Sequence, residues 1–177
     1  EVNSGAYWFQ TDELLSVLGS IQNNNAQGEY YLTDAIGILI SKGKKVGSYI
    51  ASPDAVLGAN DKKTLAKLNE IARDRVIDRH MESGVEIFFK DGVVIGPDVE
   101  IGEGTQVLPG TILKGKTVIG RDCTIGPTSL IEDCTVGDGS NINASQCYQS
   151  TVGVGVRMGP FSQLRPNSTL DDYVKIG

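Results

Sequence analysis

Histidine is almost missing from this sequence: His80 is the only one among 177 residues. Cysteine is scarce as well, and Cys123, Cys134 and Cys147 form neither a CxxC pair nor a Cys/His spacing, so no zinc-type site is expected. Their odd number suits a reducing compartment, read here as the cytoplasm. His80 falls in a charged, helix-like stretch where a solvated imidazole without a role is expected, and Cys123 reads as a small packing residue. Positive charge is also short. With 16 Lys and Arg against 22 Asp and Glu, the net charge is -6 and the pI about 4.8. No broad basic face exists for nucleic acid or an anionic membrane, so any phosphate contact must be local. No apolar run approaches the roughly 20 residues of a membrane span, and no basic segment precedes an apolar stretch at the start. An initiating methionine is absent too; the chain runs from Glu1 to Gly177, part-way through a repeat, and is expected to be a fragment of something longer.

What is present is a six-residue hydrophobic rhythm: Ile95, Ile101, Val107, Leu113, Ile119, Ile125 and Ile131. Neither a helix nor an ordinary strand has that period, and at 40% hydrophobic composition seven hits at one phase arise by chance with a probability of about 0.002. Four places after each anchor stands a small or β-branched residue: Val99, Thr105, Thr111, Thr117, Cys123, Ser129 and Thr135. Glycine follows the anchor at Gly96, Gly102, Gly120 and Gly126, where the backbone must turn sharply. Six residues make one side and three sides close a coil of eighteen, which is a parallel β-helix. The rhythm slips by one at Val136, continues at Ile142, and is interrupted near Cys147 and Tyr148, where a loop or irregular corner is expected. It resumes at Val152, Met158, Leu164, Leu170 and Ile176, with Ser162, Ser168 and Val174 in the small slot.

The first half reads differently. Residues 2–9 and 46–51 read as strands. Thr11 opens a helix carrying Leu14, Leu15, Val17, Leu18 and Ile21, and a second helix from about Thr33 buries Ala35, Ile36, Leu39 and Ile40 before Gly43. Strand alternating with helix indicates an α/β layer whose remaining strands lie elsewhere, since two strands make no stable sheet. From Asp61 to about Ser83, Leu65, Leu68, Ala72, Val76 and Met81 mark a linking helix of about 35 Å, with Asn60 or Asp61 as its cap and Gly84 as its stop. The divisions are therefore 1–60, 61–84 and 85–177. Gly110–Thr117 matches the phosphate-loop pattern GxxxxGK[ST], but Leu113 is an inward anchor and Val118-Ile119-Gly120 opens another side, so no helix follows to receive a phosphate.

Three stretches in order carry a resemblance: Glu1-Val2-Asn3-Ser4-Gly5, then Asn24-Asn25-Ala26-Gln27-Gly28-Glu29-Tyr30-Tyr31-Leu32-Thr33-Asp34, then Leu57-Gly58-Ala59-Asn60-Asp61. Followed by a long helix and hexapeptide repeats, they resemble the bacterial bifunctional N-acetylglucosamine-1-phosphate uridyltransferase/glucosamine-1-phosphate N-acetyltransferase family over essentially the whole chain. The resemblance implies the end of a Rossmann-like nucleotidyltransferase domain, a linker helix and the start of a left-handed β-helix. It implies an enzyme that acetylates glucosamine-1-phosphate from acetyl-CoA and then, with magnesium, joins the product to UTP. The product, UDP-N-acetylglucosamine, is a cell-wall precursor. Asn3 is the implied contact to the sugar nucleotide, Asn60 the implied contact to both nucleotide and Mg, and Arg165, within Gly159–Pro166, the implied contact to the phosphate of glucosamine-1-phosphate. The family's glycine-rich loop and metal-binding aspartate belong upstream of Glu1, and the histidine base of its trimer-shared acetyltransferase site belongs beyond Gly177. A homotrimer is implied, with these 177 residues inactive alone. A different sugar-1-phosphate nucleotidyltransferase with a β-helical tail, or a non-catalytic trimerisation scaffold, are the alternatives.

Overall fold

The computed structural model describes residues 3–177, so Glu1 and Val2, the first positions of the first expected strand and motif, lie outside the described residues. The chain divides into two compact units, Glu1–Asp61 and Lys62–Gly177. In the first, α1 (Thr11–Leu18) and α2 (Thr33–Ser41) pack around Val17, Ala35 and Leu39, with Phe9, Leu14, Ile21 and Ile38 partly buried beside them. Leu15, Leu18 and Ile40, expected on the buried faces, are exposed. Neither segment expected as a strand forms one: among the described residues the first strand begins at Val94. An extended segment becomes a strand only through a neighbour's ladder, and neither segment has one here.

The second unit begins with α3 (Lys62–Glu82). Its buried side differs from the expected one. Ile77 and His80 are buried while Leu65 and Met81 are exposed, because only the last turns rest on the first coil. His80 is 6% exposed, so its expected solvation is corrected. The helix stops where Gly84 takes φ +90, a conformation that suits glycine.

Beyond it, three parallel five-stranded walls form the β-helix. The first contains β1 (Val94–Ile95), β4 (Ile112–Lys114), β7 (Leu130–Glu132), β10 (Gln146–Tyr148) and β13 (Gln163–Leu164). The second contains β2 (Glu100–Ile101), β5 (Val118–Ile119), β8 (Thr135–Val136), β11 (Thr151–Val152) and β14 (Thr169–Leu170). The third contains β3 (Gln106–Val107), β6 (Thr124–Ile125), β9 (Asn141–Ile142), β12 (Arg157–Met158) and β15 (Lys175–Ile176). Each anchor pairs with the anchor one coil away, as in Ile95 with Leu113, Leu113 with Ile131 and Val107 with Ile125. Like side chains therefore stack about 4.8 Å apart along the axis.

The expected interruption is absent. Cys147 is fully buried and pairs with Ile131 on one side and Leu164 on the other, so it is an anchor of β10 rather than part of a loop. The sides Ile131–Val136, Ile142–Cys147 and Cys147–Val152 are each one residue short. Their buried companions are Cys134, Ser145 and Ser150, three places after the anchor, and Thr135, expected in that slot, faces outward. The missing residue is taken from the corner. Asp133, Ala144 and Gln149 hold positive φ immediately before those companions, just as Asp122, Thr128 and Phe161 do on full-length sides. The strand portion of each side is thereby preserved and only the turn shortens.

Two features let the coils approach so closely. Gly102, Gly120, Gly137 and Gly153 form a column after the second-wall anchors; a Cβ on Gly102 would meet the Gly120 carbonyl carbon at 2.7 Å, and one on Gly137 that of Gly153 at 2.6 Å. Buried companion hydroxyls, moreover, are satisfied between coils. Thr105 donates to Gly120 O at 2.8 Å and accepts from the Cys123 N–H at 3.0 Å, and Ser140 donates to Gly153 O at 2.9 Å and accepts from the Val156 N–H at 3.1 Å. Because Ile131 is fully buried at the middle of the first wall, Ile131→Ala is expected to cost about 2–5 kcal/mol in denaturant unfolding, against less than about 0.5 kcal/mol for outward-facing Thr135→Ala. Equal effects would place the residues out of this register.

Candidate functional site

Arg165 is the first residue after β13, at the corner leaving the first wall. Its backbone is fixed: its carbonyl accepts from Ser150 Oγ at 2.8 Å, Ser168 Oγ at 2.7 Å and the Ser168 N–H at 3.2 Å. Its guanidinium is exposed and makes no ion pair among the described residues. A held backbone with a free planar fork suits recognition of a phosphate.

Register shows what shares that corner. Lys114 lies opposite Glu132 and Glu132 opposite Tyr148, while Cys147 pairs with Leu164, so one edge of the prism reads Lys114, Glu132, Tyr148, Arg165 on successive coils. Beside it is a shallow cleft of about 260 Å³ lined by Glu132, Asp133, Tyr148, Gln149 and Pro166. Glu132 and Tyr148 were not singled out from the sequence. The shortened sides put them 33 and 17 residues before Arg165 rather than at multiples of eighteen, and that offset hid the column.

Asn3 and Asn60 are both exposed in the first unit. Asn3 is engaged locally, its Oδ1 accepting from the Gly5 N–H at 3.0 Å and its Nδ2 donating to Tyr7 Oη at 2.5 Å. Asn60 stands two residues ahead of Lys62, where α3 begins. Gly110–Thr117 folds as a corner, β4 and a corner, with Leu113 fully buried and Thr111 and Thr117 bonding to coil carbonyls. No helix follows it, so it cannot cradle a phosphate as the phosphate loop does.

All three cysteines are buried and free. Burial raises each thiol, Cys147 to about 12, with Cys134 adding to the shift at Cys147. Cys147 Sγ sits 3.6 Å from Met158 Sδ, a contact between two coils. None is poised as a nucleophile. Since folding favours the protonated thiol of Cys147, its contribution to stability is complete below the ordinary thiol pKa and is lost as pH rises from there toward about 12. A thiol reagent at pH 8 should find no cysteine in the folded chain and three after denaturation; rapid labelling of the native protein would contradict this burial.

Hexapeptide sides, small companions and parallel stacked walls define the class: this is a hexapeptide-repeat β-helix protein with a helical region ahead of the coils. No family model matches the chain. Sequence similarity is far more specific. The chain is 46% identical over 178 residues to the bifunctional protein GlmU of Geobacillus sp. (strain WCH70) and 45% identical over 177 residues to that of Clostridium novyi (strain NT), in each case across 100% of this chain and 39% of the relative. The chain thus belongs, along its whole length, to the bifunctional GlmU family, and it spans about 39% of the length of the curated relatives it matches. Among solved structures, PerB from Caulobacter crescentus, in complex with CoA and GDP-perosamine, is 22% identical with a TM-score of 0.47, covering 77% of this chain and 76% of that one. The acetyltransferase domain of PglB from Neisseria gonorrhoeae FA1090, in complex with acetyl coenzyme A, is 17% identical with a TM-score of 0.46, covering 59% of this chain and 53% of that one.

Proposed function

We propose that these 177 residues are part of a bifunctional cytoplasmic enzyme that makes UDP-N-acetylglucosamine for cell-wall synthesis, by acetyl transfer from acetyl-CoA to glucosamine-1-phosphate and then uridylyl transfer from UTP. The observation that carries this reading is the end-to-end similarity to bifunctional GlmU proteins, at 45–46% identity in two relatives.

In this reading Arg165 holds the phosphate of glucosamine-1-phosphate. The serine bonds to its carbonyl fix the backbone from which the guanidinium reaches out. The uridylyl step uses Asn3 and Asn60 against the sugar nucleotide, with Asn60 also offering its neutral carboxamide oxygen to magnesium, a ligand type suited to a hard cation. Magnesium, when bound, neutralises the crowded phosphates. Among the described residues no cluster of three or more His, Cys, Asp or Glu could hold a metal. Asn60 would therefore serve as one ligand of a larger set. A base for acetyl transfer is not supplied by this chain either: its only histidine is buried at the end of α3. The 177 residues alone should transfer neither group.

The reading extends to a homotrimer through the first wall. Val94, Ile112 and Leu130 stack in register on its outer face, with Val94 exposed and the other two half-buried. An outward apolar strip on successive coils suits burial against a second copy. No described helix is long and apolar enough to cross a membrane.

In the complete enzyme, Arg165→Ala should raise KM for glucosamine-1-phosphate about 10- to 100-fold, the scale of a charge-assisted contact, and leave uridylyl transfer unchanged. An unchanged KM would remove Arg165 from the site. The double substitution Ile112→Lys, Leu130→Lys should turn a sedimenting trimer into a monomer; a trimer that survives both changes would place the interface on another wall.

A further inference from the structure

His80 is the one buried side-chain polar group among the described residues whose nitrogen, Nε2, has no hydrogen-bond partner. It sits on the last turn of α3, one turn after the core residue Ile77, and shares the lining of one cleft with the core residue Val99. Its backbone is fully committed. The Val85 N–H bonds to His80 O at 3.0 Å and the Gly84 N–H to Met81 O at 3.1 Å, a Schellman cap, and Ser83 adds its N–H and Oγ to His80 O at 3.1 and 2.9 Å. The carbonyls that would otherwise favour a cation at this helix end are thereby satisfied.

The charged groups around the ring come from three directions. Arg79, on the same helix, reaches Pro97 O at 3.1 Å. Asp98 and Glu100, from the turn into β2, and Lys116, from the corner after β4, line with His80 a cleft of about 740 Å³ between the helix end and the first coils. Glu103 lies under Gly84. Neither carboxylate of the cleft bonds to the imidazole, and the guanidinium beside it repels a second positive charge.

We propose that His80 is a proton-sensitive latch: its neutral ring closes the junction between α3 and the first coil, and protonation in mildly acidic conditions opens it. Burial, first, and the neighbouring Arg79 charge, second, push the His80 pKa below its ordinary value of 6.5. The sign follows. The opened junction binds the proton more readily than the closed one, so the latch contributes fully above about pH 6.5 and weakens as pH falls below it.

Because His80 is the only histidine, the test is unambiguous. In NMR of the 177-residue chain its imidazole should titrate below 6.5, and hydrogen-exchange protection of the Ser83, Gly84 and Val85 amides should fall by up to about tenfold between pH 7.5 and 5.5, after correction for intrinsic exchange. In His80→Gln that acid-dependent loss should vanish. A titration at or above 6.5, or the same loss in His80→Gln, would overturn the latch; if that variant fails to fold, the wild-type titration decides.

Discussion

Everything in the second unit depends on one repeated contact: a coil laid on the next with its inward side chain against the same position one turn on. At about 4.8 Å between strands there is no room to correct an error of register. Each inner slot must therefore hold a residue that tolerates its own kind above and below. Isoleucine, leucine and valine fill the anchors, and where hydroxyls are buried they bond to the neighbouring coil, as Thr105 and Ser140 do. The glycine column at 102, 120, 137 and 153 is the backbone counterpart of the same constraint, since a Cβ there would strike the adjoining coil. Variation is pushed to the corners, which absorb one-residue deletions without disturbing the walls.

That division of labour explains where a site can form. Walls are committed to packing, whereas the residue that leaves a wall is free to vary and is presented at a fixed height on the prism edge. Arg165 is such a residue, and Tyr148 and Glu132 precede it on the same edge. In the proposed reading, binding geometry is inherited from coil stacking rather than built by a loop. The cost of displacing Arg165 from its place is set by Ser150 and Ser168, which hold its carbonyl.

Legibility in the sequence followed the range of the interactions. The hexapeptide rhythm exposed the β-helix because every coil repeats the same local demand. It faltered at Cys147 because a shortened corner shifts the phase, and the residue that resumes it is one a hydrophobic pattern reads poorly. For the same reason the six-residue phase points to Thr135, whereas Cys134 is the buried companion. His80 looked solvated because its own stretch is charged; the coil that buries it lies in another part of the chain. The segments expected as strands show the converse limit, since their local pattern suits a strand but pairing needs partners. Asn3, Asn60 and Arg165 carry little local signal and stood out only through the motifs around them.

The central proposal is that coil stacking sets Arg165 on a prism edge, where it serves as a phosphate ligand. A crystal structure of the complete protein with glucosamine-1-phosphate tests it most directly. The account predicts the phosphate oxygens at about 2.7–2.9 Å from the Arg165 guanidinium, on the edge that carries Tyr148 and Glu132. A phosphate seated elsewhere, with the Arg165 side chain in solvent, would contradict it.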